Sequence, residues 1–301
     1  LTKPKLSSWN VWYGVKYRFH PLFSIMLLFS VLTGYFIETA TLFGIVFIHE
    51  MGHVVAAKSF GWRVKEVQLL PFGGVAVVEE PGGVPVVQEL VVALAGPLQN
   101  LWMMLVACGL IALGLLPPEW GAYFVQANLL IALFNLLPVM PLDGGKVMQT
   151  AIGLWLPYQK TLQVAAIVSF LLSVMLIGAA TVHLFSEQGG IQLNWLMIGL
   201  FLCFSNWYDL RGLPYRFMRF LVYREARFKK AWSDGALAGP IVVHGQRKVG
   251  DVVRLFMRDR YHLIYVLDDQ GYISHVLPER MLLDSYFDEA KRGWSVSELF
   301  V

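Results

Sequence analysis

The sequence predicts an α-helical multi-pass membrane protein of six transmembrane helices, with a short membrane-associated β-hairpin and a small C-terminal α/β domain. Three observations predict it. Of 301 residues, 56% are hydrophobic and only 15% charged, against about 25% charged in an ordinary soluble domain. The charges are also unevenly placed: residues 19–37, 90–118, 120–142, 161–186 and 188–208 carry none, and each run reaches the ~18 apolar residues of a spanning helix. Beyond Asp209 the composition turns abruptly polar.

Taken in order, residues 1–19 form an interfacial arm, with Trp9, Trp12, Tyr13 and Tyr17 suited to the headgroup region. The membrane core covers residues 20–208, with spans expected at 20–37, 41–58, 89–116, 120–138, 162–184 and 191–208. The first run is full length and lacks a small-residue cleavage site, so it reads as a span rather than a signal peptide. With these six spans all 24 Lys and Arg fall on one side. They sit in the arm, after the second span (Lys58, Arg63, Lys65), after the fourth (Lys146, Lys160) and beyond Arg211, whereas the opposite loops hold Glu38, Glu119 and Glu187. The positive-inside rule then places both termini in the cytoplasm. Cys108 and Cys203 lie inside spans and read as packing residues rather than a disulfide or a metal knuckle.

Between the second and third spans, residues 67–80 are glycine-rich, β-prone and too short to cross, and read as an extended hairpin at the interface. Such backbone is tolerated there only where protein or a wet cavity pairs it. Residues 209–235 set seven basic side chains, among them Arg211, Arg216, Arg219 and Arg224, against three acidic ones, Asp209 and Glu225 among them. That is the composition of a juxtamembrane linker helix, with contact to anionic lipid as the sharper reading. Residues 236–301 read as an α/β module: strands at 240–243, 263–267 and 272–276, helices at 249–257 and 278–287, and an Asp268-Asp269-Gln270-Gly271 turn.

The chemistry is concentrated in the second span, which contains His49-Glu50-Met51-Gly52-His53. Residues four apart on a helix project from nearly one face, so His49 and His53 suit one Zn²⁺, and Glu50 beside them suits a general base acting on a zinc-polarised water. A carboxylate at mid-membrane costs ~2.5–3.5 kcal/mol on insertion scales, which makes it functional by default. Two histidines leave a catalytic zinc one protein ligand short. Asp143 is the one carboxylate between Glu119 and Glu187. Pro138, Pro141 and the Gly144-Gly145 pair are expected to break the helix around it and turn it back toward the metal. His20, His183, His244, His262 and His275 read as interface, surface or core residues.

The His49–His53 motif together with Asn135, Pro138 and Pro141-Leu142-Asp143-Gly144 resembles the site-2 protease family of intramembrane metalloproteases. Leu69-Leu70-Pro71-Phe72-Gly73-Gly74 and Ala95-Gly96-Pro97-Leu98-Gln99 look closer still to its bacterial sporulation branch. The resemblance implies Asp143 as third ligand, Glu50 as base, a substrate-engaging role for Asn135, and a C-terminal module of the cystathionine-β-synthase (CBS) type that binds ATP. For ATP this chain offers Leu277-Pro278-Glu279-Arg280 where that fold carries a Ser/Thr-x-x-Asp ribose motif, with Glu279 as stand-in for the Asp. The resemblance also implies a membrane-associated pro-sigma factor as substrate, inhibitory membrane proteins of the sporulation complex as partners, and residence in the mother-cell membrane around the forespore. A homo-oligomer fits that reading, and no direct nucleic-acid contact is expected. A substrate helix must unwind before hydrolysis, and the strand around Val75 and Val77 suits capture of the unwound backbone by β-augmentation. The competing class, a membrane metal transporter with a nucleotide-sensing domain, needs similar ligands, but transporters show paired broken helices in repeated halves, and no second His pair occurs here.

Overall fold

A proline in the first turn of a helix sacrifices no needed N–H and brings a preset φ, and Pro21 opens helix α1 (Pro21–Thr33) in this way. The computed structural model describes residues 11–12, 15–19, 21–70, 73–79, 84–182, 192–231, 238–291 and 293–300. The run expected as one span over 20–37 is divided: α1 ends at Thr33, Gly34 turns the chain at a φ of 80°, and α2 (Phe36–Ser59) begins. Glu38, expected in a loop, therefore lies in the first turn of α2 and Lys58 in its last, each favourable to the helix dipole.

The chain divides into two compact units, one of residues 1–81, 87–138 and 142–147, the other of residues 82–86, 139–141 and 148–301. In the first, two short strands of the arm, β1 (Val11–Trp12) and β2 (Val15–Phe19), join β3 (Arg63–Leu70) and β4 (Gly73–Glu79) in a sheet of order β1-β2-β3-β4. The expected hairpin is β3–β4, antiparallel, pairing Gln68 with Val75 and Glu66 with Val77. The arm itself was not expected to form strands; β2 runs parallel to β3. Among the described residues β4 pairs with β3 alone, so it is a sheet edge. Pro71, Phe72 and Glu80 of that segment, like His20, His183, Glu187 and Trp9, lie outside the described residues. Helices α3 (Val86–Ala112) and α4 (Pro118–Asn135) follow, and α5 (Asp143–Gly153) starts in this unit.

The second unit is built on α6 (Tyr158–Val182) and α7 (Leu193–Ala231), which pack side by side. α7 has 39 residues, about 58 Å at 1.5 Å per residue, nearly twice a ~30 Å hydrocarbon layer. The expected boundary between a span ending at 208 and a linker beginning at 209 is thus no break; one helix runs through both. Its Phe217 and Leu221, four residues apart, enter the core of the α/β module together with Leu162 of α6. The module follows the sequence reading closely: β5 (Ala238–His244), α8 (Val249–Val253), β6 (Tyr261–Leu267), β7 (Ile273–Pro278) and α9 (Glu279–Phe287). β5 is parallel to β6, and β6 antiparallel to β7. Burying Val249, Val252, Val253, Phe256, Ile264 and Leu282 completely is worth ~1.5–3 kcal/mol for each large apolar side chain.

Among the described residues three helices, α2, α3 and α6, are long and apolar enough to cross a membrane. α1, with 13 residues, is shorter than the ~20 of a typical span. α4 has 18 residues and dilutes them with Glu119, Gln126, Asn128 and Asn135, and α7 joins an apolar first part to a basic second. Polarity is inverted relative to a soluble protein. Leu101, Trp102 and Leu105 of α3, and Ile167, Leu171 and Met175 of α6, are at least half exposed, while His49, Asn100, Asn128, Ser169 and Asn206 are buried.

Candidate metal centre

α2 delivers His49 and His53 one turn apart, with Glu50 beside them, and the first residue of α5 delivers Asp143. All four are buried, at 2, 8, 8 and 6% exposure for His49, Glu50, His53 and Asp143 respectively. His49 Nε2, His53 Nε2 and Asp143 Oδ2 lie 3.0 to 3.2 Å from one another. Four tetrahedral ligands at ~2.0–2.1 Å from a zinc ion stand about 3.3 Å apart, so these donors are spaced as one face of a zinc tetrahedron. The residues fit the metal. Among the described residues this is also the one group of three or more His, Cys, Asp or Glu side chains whose ligand atoms converge in this way.

The break expected around Asp143 falls in the segment of Pro138 and Pro141 and not at the glycines. Asp-Gly-Gly is not a break: α4 ends at Asn135, a seven-residue connection follows, and Asp143-Gly144-Gly145 is the first turn of α5. Gly144 is required by crowding, because a Cβ there would collide with the Leu136 and Leu137 carbonyls at the end of α4. Lys146, one turn along α5, sets its Nζ 3.6 Å from Asp143 Oδ1, on the oxygen that does not face the histidines. Earlier in the connection, Met140 is held at both backbone groups. Its N–H donates to Ser169 Oγ at 3.0 Å, and its carbonyl accepts from Asn206 Nδ2 at 2.7 Å.

α3 supplies what the sequence reading missed. Val92, Gly96 and Asn100 recur every fourth residue and so share one face of the helix, and all three meet the histidines. The Val92 carbonyl accepts from His53 Nδ1 at 2.7 Å, and Asn100 Oδ1 lies 2.5 Å from His49 Nδ1. Between them a Cβ on Gly96 would stand 2.6 Å from His49 Nε2 and against His53 Nε2. Gly52 plays the reciprocal part on α2, where a Cβ would meet the Ala95 carbonyl oxygen at 2.6 Å. Two glycines let the helices approach closely enough for backbone and ligand to touch. An asparagine and a glycine four apart in an apolar run were the available signal.

The remaining expected residues lie elsewhere. Asn135 is half-buried at the end of α4 and donates to the Ile131 carbonyl of its own helix at 3.0 Å. Its observed hydrogen bond thus ties it to α4 rather than to the three ligands. The backbones of Val75 and Val77 belong to the edge strand β4. In the α/β module, Glu279 is 1% exposed and accepts from Arg224 Nη2 at 2.9 Å and from the His262 N–H at 3.0 Å, with Arg224 Nε closing the pair. The carboxylate expected to hold a ribose is turned inward and already engaged. His262, read as an ordinary surface or core residue, is part of that buried network.

Residues 37–122 and 118–178 match the model of peptidase family M50. Stage IV sporulation protein FB of Bacillus subtilis is 33% identical over 97% of this chain and 99% of its own length. A zinc metalloprotease of Methanocaldococcus jannaschii is 31% identical over 48% of this chain and 43% of its own. The solved site-2 protease from Methanocaldococcus jannaschii superposes with a TM-score of 0.51 at 24% identity, covering 66% of this chain and 93% of that one, and so shares the fold. A sporulation relative alignable end to end and a convergent His-His-Asp triad bring the sequence and the geometry to one conclusion: this chain belongs to peptidase family M50, the site-2 protease zinc metalloproteases.

Proposed function

We propose that this chain hydrolyses a peptide bond of a membrane-associated substrate within the bilayer, with His49, His53 and Asp143 holding zinc and Glu50 acting as general base. The observation that carries the reading is the convergence of two histidines and one carboxylate, all buried, beside a buried glutamate on an apolar helix. Zinc bound there supplies a Lewis acid that activates water and polarises the scissile carbonyl. Glu50 takes the proton of the attacking water and passes it to the leaving amine. Lys146 draws charge from Asp143 Oδ1 and leaves Oδ2 free to face the histidines. Asn135 engages the scissile region once substrate draws its amide away from Ile131. The edge of β4 at Val75 and Val77 offers unpaired backbone to an unwound substrate, as β-augmentation requires.

The six-span topology with cytoplasmic termini belongs to the same reading and rests on the one-sided placement of Lys and Arg. By likeness to the sporulation relative, the substrate is a membrane-associated pro-sigma factor, the enzyme resides in the mother-cell membrane around the forespore, and membrane partners of the sporulation complex restrain it. The module's βαββα order is in keeping with a CBS-type unit. Its use of ATP has no support at Glu279, whose carboxylate is occupied by Arg224.

Glu50→Gln tests the chemistry. The variant should bind one zinc per chain in detergent and lose cleavage of a co-expressed pro-sigma substrate by at least ~10²-fold, the usual contribution of a positioned base. A Gln variant with full activity would remove Glu50 from the mechanism.

A further inference from the structure

A neutral histidine offers a metal only the nitrogen that carries no proton, so a ligating Nε2 requires the proton on Nδ1. For His53 the backbone settles this: the Val92 carbonyl can only accept, so Nδ1 donates and Nε2 is bare. For His49 the neighbour is an amide, whose oxygen and nitrogen are interchangeable in shape but opposite in role. The direction is set two residues away. The Phe124 carbonyl on α4, again an obligate acceptor, receives Asn128 Nδ2 at 2.9 Å. That turns Asn128 Oδ1 toward Asn100, whose Nδ2 donates to it at 3.1 Å. Asn100 must then present Oδ1 to His49, at 2.5 Å. Each link has one consistent polarity, and both asparagine side chains are fully buried beside a buried His49.

We infer that Asn100 and Asn128 are positioning residues for the metal centre: a relay of two amides carries the polarity of the Phe124 carbonyl across three helices and holds His49 in the tautomer that bares Nε2. The relay accounts for two asparagines in apolar helices, where unpaired amides are costly. With His53 oriented by the Val92 carbonyl and His49 by the relay, two unprotonated Nε2 atoms stand 3.2 Å apart and face the Asp143 carboxylate. Three acceptors held so close repel one another until a cation joins them, so the relay prepares the site for a dication rather than for a network of protons. Hydrogen bonds of this kind behind a ligating histidine typically change metal affinity by ~10–100-fold when lost.

The inference rests on zinc binding at His49, His53 and Asp143, and zinc titration of the full chain in detergent tests that foundation first. A wild-type chain that binds no zinc sinks the metal site itself, whatever its variants do. Affinity is then read by competition with a chromophoric chelator for four proteins. Asn100→Leu removes the acceptor and should weaken zinc binding about 10–100-fold. Asn100→Asp keeps an acceptor against His49 Nδ1 and should recover most of the loss. Asn128→Leu leaves Asn100 free to flip its amide and should fall between these two. The Co²⁺-loaded forms should show the tetrahedral visible band in wild type and Asn100→Asp, and a weakened or shifted band in Asn100→Leu. Wild-type zinc affinity in folded Asn100→Leu overturns the relay, as does an equal loss in Asn100→Leu and Asn100→Asp, which would indicate packing alone. If Asn100→Leu does not fold, Asn128→Leu decides, and unchanged affinity there overturns it as well.

Discussion

Adding one methyl group at residue 96 should empty the metal site while leaving the helices standing. A Cβ at Gly96 would lie 2.6 Å from His49 Nε2 and 2.6 Å from His53 Cε1, whereas non-bonded heavy atoms rest at ~3.5–4.0 Å. The rings or α3 must therefore retreat by about 1 Å. Zinc sites hold their ligand distances within ~0.2 Å, so the shift exceeds what coordination tolerates several-fold, and misplacement of about 1 Å commonly costs ~10²-fold in rate. The cost to the fold is smaller, ~1–3 kcal/mol for overpacking, partly offset by alanine's helix advantage of ~1 kcal/mol over glycine. Gly109 on the same helix is the control, since a Cβ there meets nothing within 4 Å. Gly96→Ala and Gly109→Ala, purified in detergent, should show matching far-ultraviolet circular dichroism. Zinc content by metal analysis and cleavage of a membrane-tethered substrate should both collapse in Gly96→Ala and stay near wild type in Gly109→Ala. A Gly96→Ala enzyme with one tightly held zinc and normal cleavage would refute the packing argument.

Other perturbations separate the metal from the scaffold. Dialysis against a zinc chelator should abolish cleavage, and restoring Zn²⁺ should return it, without change in helix content by circular dichroism. Asn206→Leu removes the donor to the Met140 carbonyl; a buried hydrogen-bond loss of this kind costs ~1–3 kcal/mol and should lower the thermal midpoint. Arg224→Leu strands Glu279 in the module core and should cost ~3–5 kcal/mol, read as early thermal unfolding of the module by tryptophan fluorescence. The same core is acid-sensitive. Burial alone would raise the Glu279 carboxyl, but hydrogen bonds from His262 and Arg224 outweigh it and hold its pKa below the ordinary glutamate range. Burial lowers the His262 pKa, and the Arg224 charge adds to that against the pull of Glu279. Both folded values lie below their unfolded ones, so the unfolded chain takes up the extra protons as pH falls. The module should be at full stability above about pH 6.5, the ordinary histidine value. It should weaken as His262 begins to titrate in the unfolded state, and weaken further below about pH 4.3, where unfolded glutamate protonates. A thermal midpoint flat from pH 8 to pH 4 would contradict this.

Much of the centre was legible before any fold. His49, Glu50 and His53 announce themselves because helical spacing is a local property, and a charge in an apolar run has few explanations. The C-terminal α/β module was equally plain, since β-branched runs, an Asp-Asp-Gln-Gly turn and a helix period follow one another within a few residues of each other. Asp143 was legible as a residue but not as geometry: its Gly-Gly neighbours resemble a break in sequence, yet in place they are the small residues a helix start needs when it grazes the carbonyls of Leu136 and Leu137. Helix ends were less readable, because apolar content does not say where an apolar run turns, as at Gly34, or where an amphipathic stretch simply continues, as in α7.

The His-Glu-x-x-His pattern of α2, the apolar runs and the order of strands and helices in the module were all readable from residue type and from spacings of two to four positions. What stands behind the histidines depends on packing between distant segments. Val92, Gly96, Asn100 and Asn128 matter because α3 and α4 are brought against α2, and no local pattern records which buried amide will face which imidazole. Polarity in a hydrogen-bonded chain is relayed by contact, and contact between residues 51 and 28 positions apart is a property of the packed helices alone.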